Sequence, residues 1–191
     1  MLWLDSKTTR QDSEIDNHPV RDRMKASLLL EILGKSPGSL VMQQFLGEVG
    51  ERPQIEIQDG VSYHCFRKSG LALRCNTDAS SINGVSVHTG LSAGFDAYRG
   101  QLPGGVMLSD GRKDIRRKLG TPARSGTRNP LLKAPPSMLQ EEWELFVSTE
   151  HQTAAIQWDL YIHGRYAFYF EFDGSRKGRL TLARLTLHRP P

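Results

Sequence analysis

Four residues able to ligate a metal cluster in the first half of the chain: His64, Cys65, Cys75 and His88. Thiolate and imidazole are the usual ligands of zinc, but the Cys-x-x-Cys and His-x-x-x-His spacings that hold such an ion are absent. Two apolar thiols packed in a sheet are the plainer account, and no metal is expected. A hairpin turning about Gly70 would set Cys65 and Cys75 at equal distances from its centre, facing each other across neighbouring strands; whether they pair is left open. No Gly-x-Ser-x-Gly elbow accompanies the serines, and His151, His163 and His188 have no carboxylate at a telling spacing. Glu141, Glu142 and Glu144, and Glu171 with Asp173, could serve as hydrolytic carboxylates. Exposed acidic residues flanking a strand are the better account, and no nuclease-like Glu-x-Lys stands beside them. The glycine-rich Gly100-Gln-Leu-Pro-Gly-Gly105 precedes a helix start at Ser109 that could receive an anion, but it lacks the Gly-Lys-Ser/Thr ending of a phosphate loop. No catalytic residue, cofactor or enzyme activity is expected.

Charge has more direction. The net charge is +4 and the pI near 9.2, and Arg112, Lys113, Arg116, Arg117, Lys118, Arg124, Arg128 and Lys133 fall within one stretch opposed by Asp110 and Asp114. The patch at 112–133 suits phosphates or an acidic protein surface. Single-strand binders interleave aromatics with their cations, and none lies between Gly105 and Glu141, which favours a protein partner over nucleic acid. Aromatics gather instead at Tyr161, Tyr166, Phe168, Tyr169 and Phe170. Strand alternation sends Tyr166, Phe168 and Phe170 to one face and Tyr169 to the other. The candidate partner-binding residues are therefore Arg112, Arg116, Arg117, Arg124, Arg128, Tyr161 and Tyr169.

The elements that must position them follow from periodicity. Residues 1–16 are polar and read as a loose leader. Val20, Met24, Leu28 and Ile32 recur every four residues after Asn17 and predict a helix stopped by Gly34, and a shorter one spans Ser39 to Leu46, ended by Gly47. The period then changes to two: Val61, Tyr63, Cys65; Leu71, Leu73, Cys75; Ile82, Val85, Val87. Ser109 to Leu119 reads as a helix closed by Gly120, and 121–137, with Pro122, Pro130, Pro135 and Pro136, as a Pro-rich mobile loop. Strands resume at Ala154 to Ile162, Tyr166 to Phe172 and Leu180 to Leu187. With 38% hydrophobic residues in 191 a sizeable core is available. No apolar run approaches the roughly 18 residues of a membrane span, and the N-terminus lacks the pattern of a secretory signal, so a cytoplasmic, non-membrane protein is expected.

The halves resemble one another. Ser36-x-Gly38-x-x-x-Met42-x-x-x-Leu46-Gly47 matches Ser109-x-Gly111-x-x-x-Ile115-x-x-x-Leu119-Gly120 at an offset of 73, and Ile82, Val85, Ser86, Val87, His88 match Leu182, Leu185, Thr186, Leu187, His188 at an offset of 100. The expectation is an α+β protein of two tandem helix-plus-antiparallel-meander repeats, 17–98 and 99–191, forming a sheet with helices packed on one face. This arrangement resembles the duplicated units of the β-lactamase-inhibitor-protein-like fold. The stretch from Tyr98-Arg-Gly-Gln-Leu-Pro103-Gly-Gly to Leu119-Gly-Thr-Pro122 is similar to bacterial immunity proteins found beside polymorphic toxins, although the first repeat has Glu48-Val49 where Thr-Pro would stand. The resemblance implies an immunity-type protein that binds and neutralises a cognate toxin by steric occlusion. The alternative is a nucleic-acid-binding module using the 112–133 patch.

Overall fold

The computed structural model describes residues 24–58, 60–76, 80–91, 94–128, 155–175 and 177–187. Within them lie helices α1 (Ala26–Glu31), α2 (Leu40–Val49) and α3 (Arg112–Leu119), and strands β1 (Gln54–Gln58), β2 (Val61–Phe66), β3 (Leu71–Cys75), β4 (Ile82–His88), β5 (Arg124–Arg128), β6 (Ile156–His163), β7 (Tyr166–Phe172) and β8 (Leu180–Leu187). The fold is α+β. The strands form one antiparallel sheet in the order β1-β2-β3-β4-β8-β7-β6-β5, so each half of the chain supplies a meander and the two last strands meet in the middle. No helix among the described residues is long and apolar enough to cross a membrane.

Paired residues of an antiparallel ladder point to the same side, so the registers sort the sheet into two faces. One carries Phe66, Leu71, Leu73, Cys75, Val85, Val87, Ala183, Leu185, Phe168, Phe170 and Tyr161, which join Leu29, Ile32, Met42, Phe45 and Ile115 of the helical segments in a single core. Phe45 of α2 stands edge-on to Phe66 of β2, ring centres 5.7 Å apart. Helices therefore cover one face. The other face carries Trp158, Leu160, Ile162, Tyr169 and Arg184.

The alternating apolar strands form where expected, but several boundaries move. Helix α2 runs through Gly47 and ends at Gly50, whose φ of +64° is the left-handed turn that Gly47 does not make; a helical glycine costs only about 1 kcal/mol. Its cap is Ser39, where the predicted helix begins, and the Ser39 Oγ accepts the Met42 N–H at 3.3 Å. Helix α3 starts at Arg112 rather than Ser109, because Asp110 first closes a turn on the Met107 N–H (2.8 Å) and the Asp114 carboxylate takes the Gly111 N–H (3.1 Å). Part of the expected Pro-rich loop is strand β5, which is paired with β6 from Arg124–Leu160 to Arg128–Ile156. Its remainder, residues 129–137, lies outside the described residues, as do the leader, the helix start near Asn17, Lys133 and His188. The β2–β3 hairpin is centred before Gly70: Cys65 pairs with Ala72 and Cys75 with Ser62, so the thiols sit on opposite faces, buried and free.

Ile115 is fully buried, and Leu119, four residues on, is half-buried against the same core. Truncating Ile115 to Ala should cost about 2–5 kcal/mol and Leu119→Ala distinctly less, since a partly wet site loses less transfer energy and leaves no closed cavity. Urea melts of the two variants check the order.

Candidate functional site

The candidate cations do not form one exposed patch. Asp159 sits on the core face of β6 with its side chain fully buried, and two helix residues one turn apart converge on it. Arg112 donates from Nη2 to Oδ1 at 2.7 Å and from Nη1 to the Gln157 side chain at 2.8 Å. Arg116 donates from Nε and Nη2 to the two carboxylate oxygens, both at 2.8 Å. Spacing of four on a helix puts the two guanidiniums side by side, so α3 is bolted to the sheet by a shared carboxylate. Arg112, a candidate partner-binding residue, is instead partly buried and also lies over the Phe172 ring at 5.9 Å. Arg117 remains exposed, paired with Asp114 at 2.6 Å. Lys118 holds Asp110 at 2.7 Å and the Gly105 carbonyl at 2.9 Å.

Tyr161, beside this clamp on the core face, is 2% exposed with a buried hydroxyl that finds no hydrogen-bond partner. Burial, then the negative charge of Asp159, push its phenol above the ordinary value. A side chain so enclosed offers no contact to a partner. Tyr169 faces the other way and is half-buried. Arg124 also lies on that second face, while Arg128 contributes backbone to β5 and its side chain lies outside the described residues. The candidates whose side chains are described thus divide between the two sides of the sheet.

On the second face a different cluster emerges. Trp158 of β6 stacks on Tyr169 of β7 at 5.8 Å and 28°, and Arg184 of β8 lies over the Tyr169 ring at 5.7 Å. Gly126 of β5 is paired with Trp158, and a Cβ there would come within 2.7 Å of the indole. Glycine is the residue that lets the indole lie flat across the edge strand. Cross-strand pairing then lines up Arg124, Leu160, Tyr169, Arg184 and Ser86 in one row. Two half-buried aromatics framed by arginines are the side chains that anchor protein interfaces. Trp158 and Arg184 were missed because alternation was followed only along β7; applied to β6 it separates Trp158, Leu160 and Ile162 from Tyr161.

The four candidate metal ligands split two to each face, His64 with Cys75 and Cys65 with His88. His88 stacks on Phe95 at 3.9 Å with Nδ1 buried and unpartnered. Burial, then the charges of Arg184 and Arg67, lower its pKa to about 4.

No family model matches the chain. Two solved structures resemble it weakly: a DUF4309 family protein, YjgB, from Bacillus subtilis, at 14% identity over 76% of each chain with a TM-score of 0.40, and a cysteine-rich secretory protein from Staphylococcus aureus, at 7% identity with a TM-score of 0.40. The chain spans half the length of the second, with 87% of its own residues aligned.

Acid should unfold the protein in two stages. Neutral His88 is favoured in the fold, so stability falls as pH drops from the ordinary 6.5 to about 4. For Asp159, burial alone would raise the carboxyl pKa, but the hydrogen bonds and charges of Arg116 and Arg112 outweigh it and hold the group below the ordinary 3.8. Its contribution is complete above that value and is lost as pH falls further. Asp159→Asn should cost about 3 kcal/mol at neutral pH and remove the second stage, while His88→Gln should flatten the first; denaturant melts across pH check both.

Proposed function

We propose that this chain is a binding protein, not an enzyme, and that it works in the bacterial cytoplasm as an immunity-type inhibitor that covers the working surface of a cognate toxin. The observation that carries the reading is the Trp158–Tyr169–Arg184 stack on the face away from the helices. Large aromatics bury area at low entropic cost, and arginine adds charge-assisted hydrogen bonds, so such a cluster supplies binding energy to a preformed surface.

The duplicated scaffold of the resemblance is part of the proposal. It draws support from the centre of the sheet, where Val85 pairs with Leu185, Gly84 with Thr186 and Ser86 with Arg184. Residues 100 apart are thus arranged symmetrically about the Val85–Leu185 pair, as two units related by a two-fold axis there would be. The offset of 73 likewise superposes buried Met42 on buried Ile115, and half-buried Leu46 on half-buried Leu119.

Nucleic-acid binding draws less support, because two of its arginines already spend their donors on Asp159. Co-expression with the toxin candidate encoded beside this gene should protect cells and yield a stoichiometric complex. Tyr169→Ala and Trp158→Ala should each weaken that complex by about 2 kcal/mol, some 30-fold, and Lys113→Ala, at an exposed position on the helix away from this face, should leave it unchanged. Absence of protection and of a complex overturns the reading. Generic duplex bound tightly, with affinity falling by about 0.9 log units per log unit of salt for each neutralised phosphate, would put the nucleic-acid module in its place.

A further inference from the structure

Strand β1 ends the sheet opposite β5, and every one of its residues is exposed. Ile55 and Ile57 are 64% and 78% exposed, on the helix side of the sheet according to their pairing with His64 and Ser62. An edge strand offers a row of unpaired backbone donors and acceptors, and proteins usually blunt it with lysine, proline or a bulge. Strand β1 has no lysine, proline or bulge, and its one charge, Glu56, is paired with Arg67. The sequence Gln54-Ile55-Glu56-Ile57-Gln58 reads the same in both directions.

We propose that β1 is a dimerisation edge, at which two copies of this chain join by antiparallel β1–β1 pairing centred on Glu56. A two-fold axis through Glu56 places each Gln54 opposite the partner's Gln58 and each Ile55 opposite the partner's Ile57. The interface is then isologous, as a closed dimer requires. The axis stands perpendicular to the sheet, so the helices of both copies stay on one side and the four isoleucines form one apolar cluster there. Glu56 faces its own copy, a pairing that would repel if bare. Arg67 neutralises it: its guanidinium is bonded to Glu56, to the Gln54 side chain at 2.9 Å and to the Gly94 carbonyl at 3.2 Å. Two carboxylates and two guanidiniums surround the axis, and the charges balance.

The opposite edge is unsuited to the same use. Strand β5 reads Arg-Ser-Gly-Thr-Arg, and self-pairing about Gly126 would set each Arg124 against the partner's Arg128 with no apolar side chain between them. The aromatic face at β6 and β7 is four or more strands away from β1, so dimerisation stands or falls apart from the proposed partner.

Five residues make a small interface at the weak end of the scale, with dimer expected near about 100 µM. Sedimentation equilibrium of the full chain should show a monomer–dimer equilibrium in that range. Ile57→Lys, at an exposed position, should keep the wild-type circular dichroism and weaken dimerisation at least about tenfold. Register is tested by cross-linking with oxidised glutathione. In a Cys65→Ala background, which removes the thiol beside Glu56, Glu56→Cys, on the axis, should form an intermolecular disulfide that Gln58→Cys, facing the partner's Gln54, does not; Cys65→Ala alone is the control. A wild-type monomer throughout, a dimer indifferent to Ile57→Lys, or equal cross-linking of the two cysteine variants would overturn the proposal.

Discussion

Strands β4 and β8 are separated by most of the second half of the chain, yet their pairing joins two meanders that would otherwise each end in a bare edge. Val85, Val87, Ala183 and Leu185 lie across this junction, all buried and all on the helix face. Each half alone would present a narrow four-stranded sheet under short helices, α1 and α2 on the first and α3 on the second, and a helix of 8 residues like α3 is marginal without packing. Joining the halves turns two shallow apolar strips into one core that reaches from Phe66 to Tyr161. Closing so long a loop is entropically costly but grows only slowly with length, so burial at the junction decides the outcome. Contacts of this kind form late and slow folding.

The Asp159 clamp is the second constraint, and it works against the ordinary cost of burying charge. A carboxylate without partners at that depth would lose several kcal/mol to desolvation. Two guanidiniums, each keeping part of its surface in water, satisfy both oxygens, and Gln157 takes a remaining donor of Arg112. The short helix therefore needs only Ile115 to be fully buried. The same arrangement changes what the basic stretch can do: Arg112 and Arg116 are committed to Asp159, and among the described side chains Lys113, Arg117 and Arg124 remain open to solvent.

What could be read from the sequence follows what the elements bury. Strands β2, β3, β4, β6, β7 and β8 put apolar residues on alternate positions because one side of each lies in the core, and that alternation is visible in the chain. Strands β1 and β5 bury almost nothing: Arg-Ser-Gly-Thr-Arg of β5 carries no apolar alternation, and Gln-Ile-Glu-Ile-Gln of β1 alternates but is short and wholly exposed. The clamp was invisible for another reason. Asp159 is 43 and 47 residues from its arginines, and on a one-dimensional reading it is a single acid in an apolar strand. Tyr161 looked like a surface aromatic for want of the hairpin register, which places it two positions from Asp159 on the same face. The start of α2 was legible at Ser39, whereas that of α3 was displaced because Ser109 fits a cap pattern that Gly111 fills in the structure.

The two halves differ most on the face away from the helices. Beside β4 that face carries Gly84, Ser86 and Arg74, with Cys65 and Ala72 buried and His88 covered by Phe95. Beside β7 it carries Trp158, Leu160, Ile162 and Tyr169. An aromatic side chain has some 150–250 Å² to bury, and at about 25 cal/mol per Å² half-exposed Trp158 and Tyr169 forgo a substantial stabilisation that threonine or lysine at the same positions would never have offered. Gly126 compounds the cost, because glycine weakens an edge strand through entropy and lack of packing, and its bare backbone serves the indole lying across it. Strand β5 thus gives up side-chain packing at Gly126 so that the Trp158 ring can lie across it, and the ring stays half-exposed.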